Sequence, residues 1–135
     1  MKKLDILKKL RTSGLRPTKQ RVEIAKFLFE RDKTFHFTVE SLDKLLAKKT
    51  SYKFALATIY NTVHAFKNAG HLSEVEVRGK KTYFDTNVSN HHHFYDSETS
   101  ELIDIDANEV VIQKIPKAPN GKKIKNVEVF INLKN

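Results

Sequence analysis

The sequence predicts an α+β chain: a winged helix-turn-helix over residues 1–84, then a small α/β domain over residues 85–135. Three observations carry this. Apolar residues recur at helical spacing to about residue 70 and follow strand patterns afterwards. A turn signal, Arg78-Gly79, follows the last helix between two short strand patterns, as a wing requires. Charge divides along the same line. Residues 1–84 hold 19 Lys/Arg against 8 Asp/Glu (+11) and residues 85–135 hold 6 against 8 (−2), which together give the net +9. A basic first part and a mildly acidic second part assign polyanion binding to the first.

Leu4, Leu7 and Leu10 are three apart with lysines between them, an amphipathic helix that Gly14 stops. Arg16-Pro17-Thr18 opens a second helix with Val22, Ala25, Leu28 and Phe29 as its apolar stripe, ending near Arg31-Asp32. Thr38 is the expected N-cap of a third helix. Leu42, Leu45 and Leu46 face inward there, and Lys48 and Lys49 suit the negative end of its dipole. A fourth helix runs from about Ala55 to Asn68 on Leu56, Ile59, Val63 and Phe66, and Gly70 closes it. Leu72, Val75 and Val77 then lead one strand to the turn, and Thr82-Tyr83-Phe84 returns as the next. In the second part His93-Phe94-Tyr95 and Leu102-Ile103-Asp104-Ile105 read as paired strands around a polar turn. Asn108 to Lys114 reads as a short helix, Pro116, Pro119, Asn120 and Gly121 as a loop, and Val127, Val129, Ile131 and Leu133 as a half-buried final strand. A lone core below ~70–80 residues is marginal, so this part is expected to pack on another subunit or on the first domain.

Composition excludes several classes. Apolar residues at 39% suffice for a core. The absence of cysteine rules out a disulfide scaffold, a Cys-ligated zinc or iron–sulfur site and a thiol nucleophile. No apolar run approaches the ~18 residues of a membrane span. Met1 to Arg11 is charged throughout and lacks the apolar core of a signal peptide. The expectation is a soluble cytoplasmic protein with no membrane partner.

A helix in the major groove needs one face to pack and another to reach bases and phosphates. The fourth helix has both, leaving Thr58, Tyr60, Asn61 and His64 for DNA. Asn pairs bidentately with adenine, and Tyr or Thr touches a thymine methyl or a phosphate. Arg16, Lys19 and Arg21 cluster at the start of the second helix, and Arg78, Lys80 and Lys81 decorate the hairpin tip. Each residue alone fits an ordinary solvated surface. Together in a winged-helix plan they point to double-stranded DNA, bound with a strong salt dependence.

His91, His92 and His93 are consecutive. In an extended segment His91 and His93 share a face and His92 points away. Asp85 lies six residues before His91, and Asp104 on a paired strand reaches the same spot. Imidazole and carboxylate without sulfur suit Fe²⁺, Mn²⁺ or Zn²⁺. Neutral imidazole also ligates haem iron, which makes His91, His92 and His93 candidate haem ligands. Two His and a carboxylate also form the facial triad of iron oxygenases. No Gly-rich cofactor loop or Ser–His–Asp order accompanies them, so a non-enzyme is expected.

These motifs resemble, in order, those of the ferric uptake regulator (Fur) family over about residues 10–133. Gly14-Leu15-Arg16-Pro17-Thr18-Lys19-Gln20-Arg21 is similar to its opening motif, and Leu56-Ala57-Thr58-Ile59-Tyr60-Asn61-Thr62-Val63 with Asn68-Ala69-Gly70 to its recognition helix. Lys81-Thr82-Tyr83-Phe84-Asp85 and the histidine triplet resemble its wing and metal-binding hinge. Tyr83 to Ser89, His91 to Tyr95 and Glu101 to Ile105 look most like the iron response regulator (Irr) type of alphaproteobacteria.

The resemblance implies a homodimeric transcription factor whose winged helix binds an operator and whose α/β part dimerises. It implies a regulatory metal site of His36, Asp85, His91, His93 and Asp104, and DNA contacts at Arg16, near the minor groove, and at Tyr60. The family's structural zinc uses two Cys-x-x-Cys pairs. The first falls at Asp96 and Thr99 here, so no structural zinc held by four cysteines is expected. The usual polar cap of the recognition helix is Ala55, which leaves Ser51 or the preceding loop to serve. The Irr type implies a response to haem through the triplet, control of iron and haem metabolism genes, and haem or a haem-synthesis enzyme as a further partner. Ordinary Fur logic implies a repressor that binds DNA when loaded with Fe²⁺ or Mn²⁺.

Overall fold

The computed structural model describes residues 5–77, 79 and 81–135, so Leu4, Arg78 and Lys80 lie outside the described residues. The chain divides into two compact units, Met1–Val88 and Ser89–Asn135.

In the first unit α1 spans Ile6–Thr12, α2 Lys19–Phe29, α3 Val39–Lys49 and α4 Leu56–Asn68. A three-stranded sheet follows in the order β1-β3-β2, formed by β1 (His36–Phe37), β2 (Ser73–Glu76) and β3 (Thr82–Asp85). Both pairings are antiparallel. This is the winged helix-turn-helix plan. The core joins Leu10, Ile24, Leu28, Leu42, Leu46, Ile59, Val63 and Phe66 to Phe37 and Phe84 of the sheet. Each fully buried aliphatic contributes about 1.5–3 kcal/mol relative to exposure.

Helix boundaries follow local chemistry. The Thr18 side chain accepts from the Arg21 N–H at the start of α2. Thr38 and Ser41 form a reciprocal capping box at α3, with the Ser41 N–H on Thr38 Oγ1 at 3.0 Å and the Thr38 N–H on Ser41 Oγ at 2.9 Å. α1 and α4 end alike. Gly14 (φ +82°) and Gly70 (φ +87°) take the left-handed conformation, which a side chain strains. The Leu15 and His71 N–H groups then reach back to the Leu10 and Phe66 carbonyls at 2.8 and 2.9 Å.

Several expectations are corrected. α1 packs through Ile6 and Leu10, and Leu7 is exposed, because residues four apart lie on one face and Leu7 falls about 100° away. Ile24 is buried in α2, which ends at Phe29, while Val22 and Phe29 are only partly covered. Leu56 is 51% exposed, since it opens α4 before the helix reaches the core; Thr62 is buried instead. Among the described residues α4 has no side-chain cap at Ala55, from Ser51 or otherwise; the Ala55 carbonyl accepts from the Thr58 and Ile59 N–H groups. Asp85, one residue past the expected boundary at Phe84, completes β3, paired with His36 on one side and Ser73 on the other.

In the second unit β4 (His91–Asp96) is central, antiparallel to β5 (Glu101–Asp106) and parallel to β6 (Phe130–Leu133). Asp96 Oδ1 accepts from the Glu98 and Thr99 N–H groups at the β4–β5 turn. The expected helix at Asn108–Lys114 is only a 3-10 turn, Ala107–Glu109, followed by irregular chain. Val110, Val111 and Ile112 are β-branched and disfavour helix, and no side chain caps its start. The final strand is shorter than the alternation suggests. Val127 and Val129 lie outside it, and Ile131 is exposed because it shares a sheet face with Phe94 and the equally exposed Ile103.

Candidate metal centre

The first unit builds a His–carboxylate pair from strand register. His36 of β1 lies directly across from Asp85 of β3, and Nε2 meets Asp85 Oδ2 at 3.0 Å. The Asp85 carboxylate is fully buried, and its Oδ1 accepts the Asn87 N–H at 2.8 Å. That bond fixes the carboxylate plane and leaves Oδ2 aimed at the imidazole. Thr86 extends the pairing, with its N–H on the Phe35 carbonyl and its Oγ1 accepting the Phe35 N–H.

The second unit builds a three-residue cluster. His93 stands directly across from Asp104, and His91 lies two residues away on the same face of β4. Asp104 Oδ1 lies 3.1 Å from His91 Nε2 and 3.3 Å from His93 Nε2. His91 Nδ1 is 2.6 Å from the Ser89 carbonyl, an acceptor only, so Nδ1 carries the hydrogen and Nε2 faces the carboxylate. A backbone carbonyl on the far nitrogen is how metal-ligating histidines are oriented. His93 is 1% exposed, and Phe130 stacks on its ring at 5.7 Å and 19°. His92 occupies the other face, where its Nδ1 accepts the Val129 N–H at 3.0 Å and holds the approach to β6.

Two donors each about 2.1 Å from one first-row ion stand about 3.0–3.4 Å apart at octahedral to tetrahedral angles. The separations of 3.0 Å in the first unit and 3.1 and 3.3 Å in the second lie in that range. The all-nitrogen-and-oxygen donor set suits Fe²⁺, Mn²⁺ or Zn²⁺. The donors of each unit are therefore spaced as ligands of a divalent ion are. Sequence reading does not reveal the orienting partners Ser89, Asn87 and Phe130. Two of them act through backbone atoms that carry no sequence signal, and Phe130 depends on the register of a parallel strand.

Among the expected DNA contacts, Tyr60 (53% exposed) and Asn61 lie on the open face of α4, and Thr58 and His64 are half-buried. Arg16, Lys19 and Lys81 are exposed. The Arg21 guanidinium donates to the Arg16 carbonyl at 3.1 Å, and Lys19 Nζ lies over the Tyr52 ring at 5.6 Å. Arg78 and Lys80 are outside the described residues.

A winged helix joined to a β-sheet unit, each with a His–carboxylate cluster, defines the class: a two-unit α+β protein with metal-type donor sets. The chain belongs to the ferric uptake regulator family, whose model matches residues 12–133. It is 30% identical over 95 residues to the peroxide-responsive repressor PerR of Staphylococcus epidermidis, across 70% of this chain and 61% of that protein. The same identity holds over 100 residues of PerR from Staphylococcus saprophyticus, across 74% and 66%. The match thus spans less than two thirds of the length of these curated relatives. The fold is shared with the ferric uptake regulator of Pseudomonas aeruginosa solved with manganese (TM-score 0.71, 23% identity, 98% of each chain). It is shared too with that of Vibrio cholerae (TM-score 0.72, 21% identity, 97% of this chain and 100% of the other).

Proposed function

We propose that this chain is a metal-responsive, DNA-binding transcription regulator and not an enzyme. It acts as a homodimer that binds an operator through the winged helix and associates through the second unit. Family membership supports the class. The observation that carries the metal response is the sharing of Asp104 Oδ1 by His91 and His93, with His91 already oriented by Ser89.

The regulatory site in this proposal is the full set His36, Asp85, His91, His93 and Asp104. His36 and Asp85 hold the first unit's end of it, and the other three hold the second unit's. A bound divalent ion supplies positive charge and directed bonds to these imidazoles and carboxylates. The chain's own residues do the rest: Ser89 and Asn87 orient ligands, and Phe130 keeps water from one face of His93. Joining the two ends would fix the DNA-binding units at the spacing an operator demands. The family's four-cysteine structural zinc has no counterpart here, since the chain has no cysteine. Arg16, Lys19 and Lys81 contribute phosphate contacts in this reading, and Tyr60 and Asn61 meet base edges.

A second reading concerns the effector. The consecutive triplet and the likeness of residues 83–105 to Irr favour haem, with control of iron and haem metabolism genes and a haem-synthesis enzyme as a further partner. Against His92 as a haem ligand, its Nδ1 accepts the Val129 N–H, which leaves the ring hydrogen on Nε2 and no free lone pair for iron. The divalent-metal reading is the one the donor distances support best.

The test is fluorescence anisotropy on an iron-control operator duplex at fixed salt, for the apo protein, with Mn²⁺ or Fe²⁺, and with haem. Binding that requires the divalent ion supports the proposal. Binding abolished by haem and indifferent to metal supports the Irr reading. Indifference to every additive removes the sensing function.

A further inference from the structure

Within the first unit a file of aromatic rings runs from the β1–β3 strand pair, which carries His36 and Asp85, to the open face of α4. Phe37, beside His36, stacks on Phe84, beside Asp85, with centroids 5.8 Å apart at 27°. Phe84 meets His64 edge-on at 5.6 Å and 82°. His64 then packs against Tyr60, one turn earlier in α4, at 4.2 Å. The rings differ in setting. Phe37 and Phe84 are each 2% exposed, His64 is half-buried and Tyr60 is 53% exposed. His64 thus sits where the core ends and the recognition face begins. Tyr60, His64, Phe84, Glu74 and Lys81 line one cleft of about 310 Å³ bounded by α3, α4 and the wing strands, so the Tyr60 side chain borders open space.

We propose that His64 is a positioning residue: it selects the orientation of Tyr60 and passes to it the placement of Phe84, and hence of the strand that ends in Asp85. A side chain more than half exposed beside an open cleft has several rotamers available. One tilted ring contact at 4.2 Å, backed from behind by a buried Phe, favours one of them. This differs from reading His64 as a base contact, because its ring faces Phe84 as well as Tyr60. The inference rests on the proposal that α4 reads DNA and that His36 and Asp85 take a metal.

The first measurement is in the free, full-length protein, on the Tyr60 ring resonances by ¹H–¹³C NMR, with Zn²⁺ as a diamagnetic probe. Zn²⁺ is expected to shift the Tyr60 ring signals in the wild type and in His64→Phe, which keeps a ring between Phe84 and Tyr60. In His64→Ala the shift should vanish while the backbone signals of His36 and Asp85 still respond. A Tyr60 response in His64→Ala equal to that of the wild type overturns the proposal, and so does no response in the wild type once His36 and Asp85 have responded. No response at His36 and Asp85 refutes metal binding at that pair, the reading beneath.

The second measurement is a double-mutant cycle on operator affinity with His64→Ala and Tyr60→Ala. An aromatic contact of this kind corresponds to about a threefold to tenfold loss of affinity for His64→Ala. The double variant should bind no worse than Tyr60→Ala alone, since His64 then has nothing to position. Independent, multiplying losses overturn the positioning role. An unchanged affinity in Tyr60→Ala instead refutes recognition by that face of α4, and the NMR result still decides whether His64 orients Tyr60.

Discussion

Replacing Asp104 with Asn keeps the size of the side chain and removes its charge. In the structure one Asp104 oxygen faces two imidazole nitrogens at 3.1 and 3.3 Å, and the proposed site takes that oxygen as a ligand. At a free metal concentration 100 times the wild-type Kd, binding stabilises the fold by about 2.7 kcal/mol. Mutating even an outer partner of a metal ligand weakens binding about 10–100-fold, and loss of a ligand's charge does no less. The ratio of metal to Kd then falls to about 10 or below, and the stabilisation to at most about 1.4 kcal/mol, or about 0.4 kcal/mol at the lower end. Without metal the variant should unfold within about 1 kcal/mol of the wild type, since the carboxylate is partly open to solvent. The assay is urea unfolding followed by circular dichroism, with and without Zn²⁺, for both proteins. An Asp104→Asn protein that gains as much from Zn²⁺ as the wild type refutes the ligand role of Asp104.

Thr38→Ala removes the oxygen that caps α3 and should cost about 1 kcal/mol, while Thr38→Ser retains the cap. At about 2.1 cal/mol/K per residue over the 88 residues of the first unit, that is a fall of about 5 °C in Tm, measurable by thermal melts of the three proteins. His71 links two helix ends: its Nε2–H donates to Ser13 Oγ at 2.8 Å, since the single Ser13 hydroxyl hydrogen is directed at the backbone carbonyls of Lys9 and Leu10. Burial first, and then the Lys9 charge, lower its pKa below the ordinary 6.5. The folded value lies below the unfolded one, so the contribution is complete above about pH 6.5 and is lost as pH falls through the folded value. Urea midpoints of the wild type and His71→Asn should therefore converge as pH is lowered from about 7.5 to about 5, and a constant gap would contradict this. Lys81→Ala should weaken operator binding evenly across sequences and reduce the slope of log affinity against log salt by about 0.9, read from anisotropy titrations at several salt concentrations.

Much of the fold is legible because its signals are local. Thr38, Gly14 and Gly70 act within a few residues of themselves, and alternation along β4 separates His91 and His93 from His92 without reference to the rest of the chain. Asp104 follows from pairing β4 with β5 across a short turn. The His36–Asp85 pair is different. β1 has two residues, too few for any periodicity, and its register is set by β3 almost fifty positions away. Only resemblance to the family points to it. The region after Asp106 misleads for another reason. Asn108 to Lys114 reads as a short helix, yet Val110, Val111 and Ile112 carry branched side chains that suit extended chain, and no cap enforces a helix. α1 and α4 show the same limit in miniature, since Leu7 and Leu56 match an apolar stripe yet lie beyond the reach of the core.

The proposal that one divalent ion is taken jointly by His36 and Asp85 with His91, His93 and Asp104 is decided by counting Mn²⁺ per chain. Electron paramagnetic resonance of free Mn²⁺ during titration gives the stoichiometry for the wild type, for His36→Ala/Asp85→Asn and for His91→Ala/His93→Ala. One ion per chain in the wild type, bound at least about tenfold more weakly in both variants, is the predicted result. Two independent ions per chain, or a site that survives either pair of substitutions at full affinity, would contradict it.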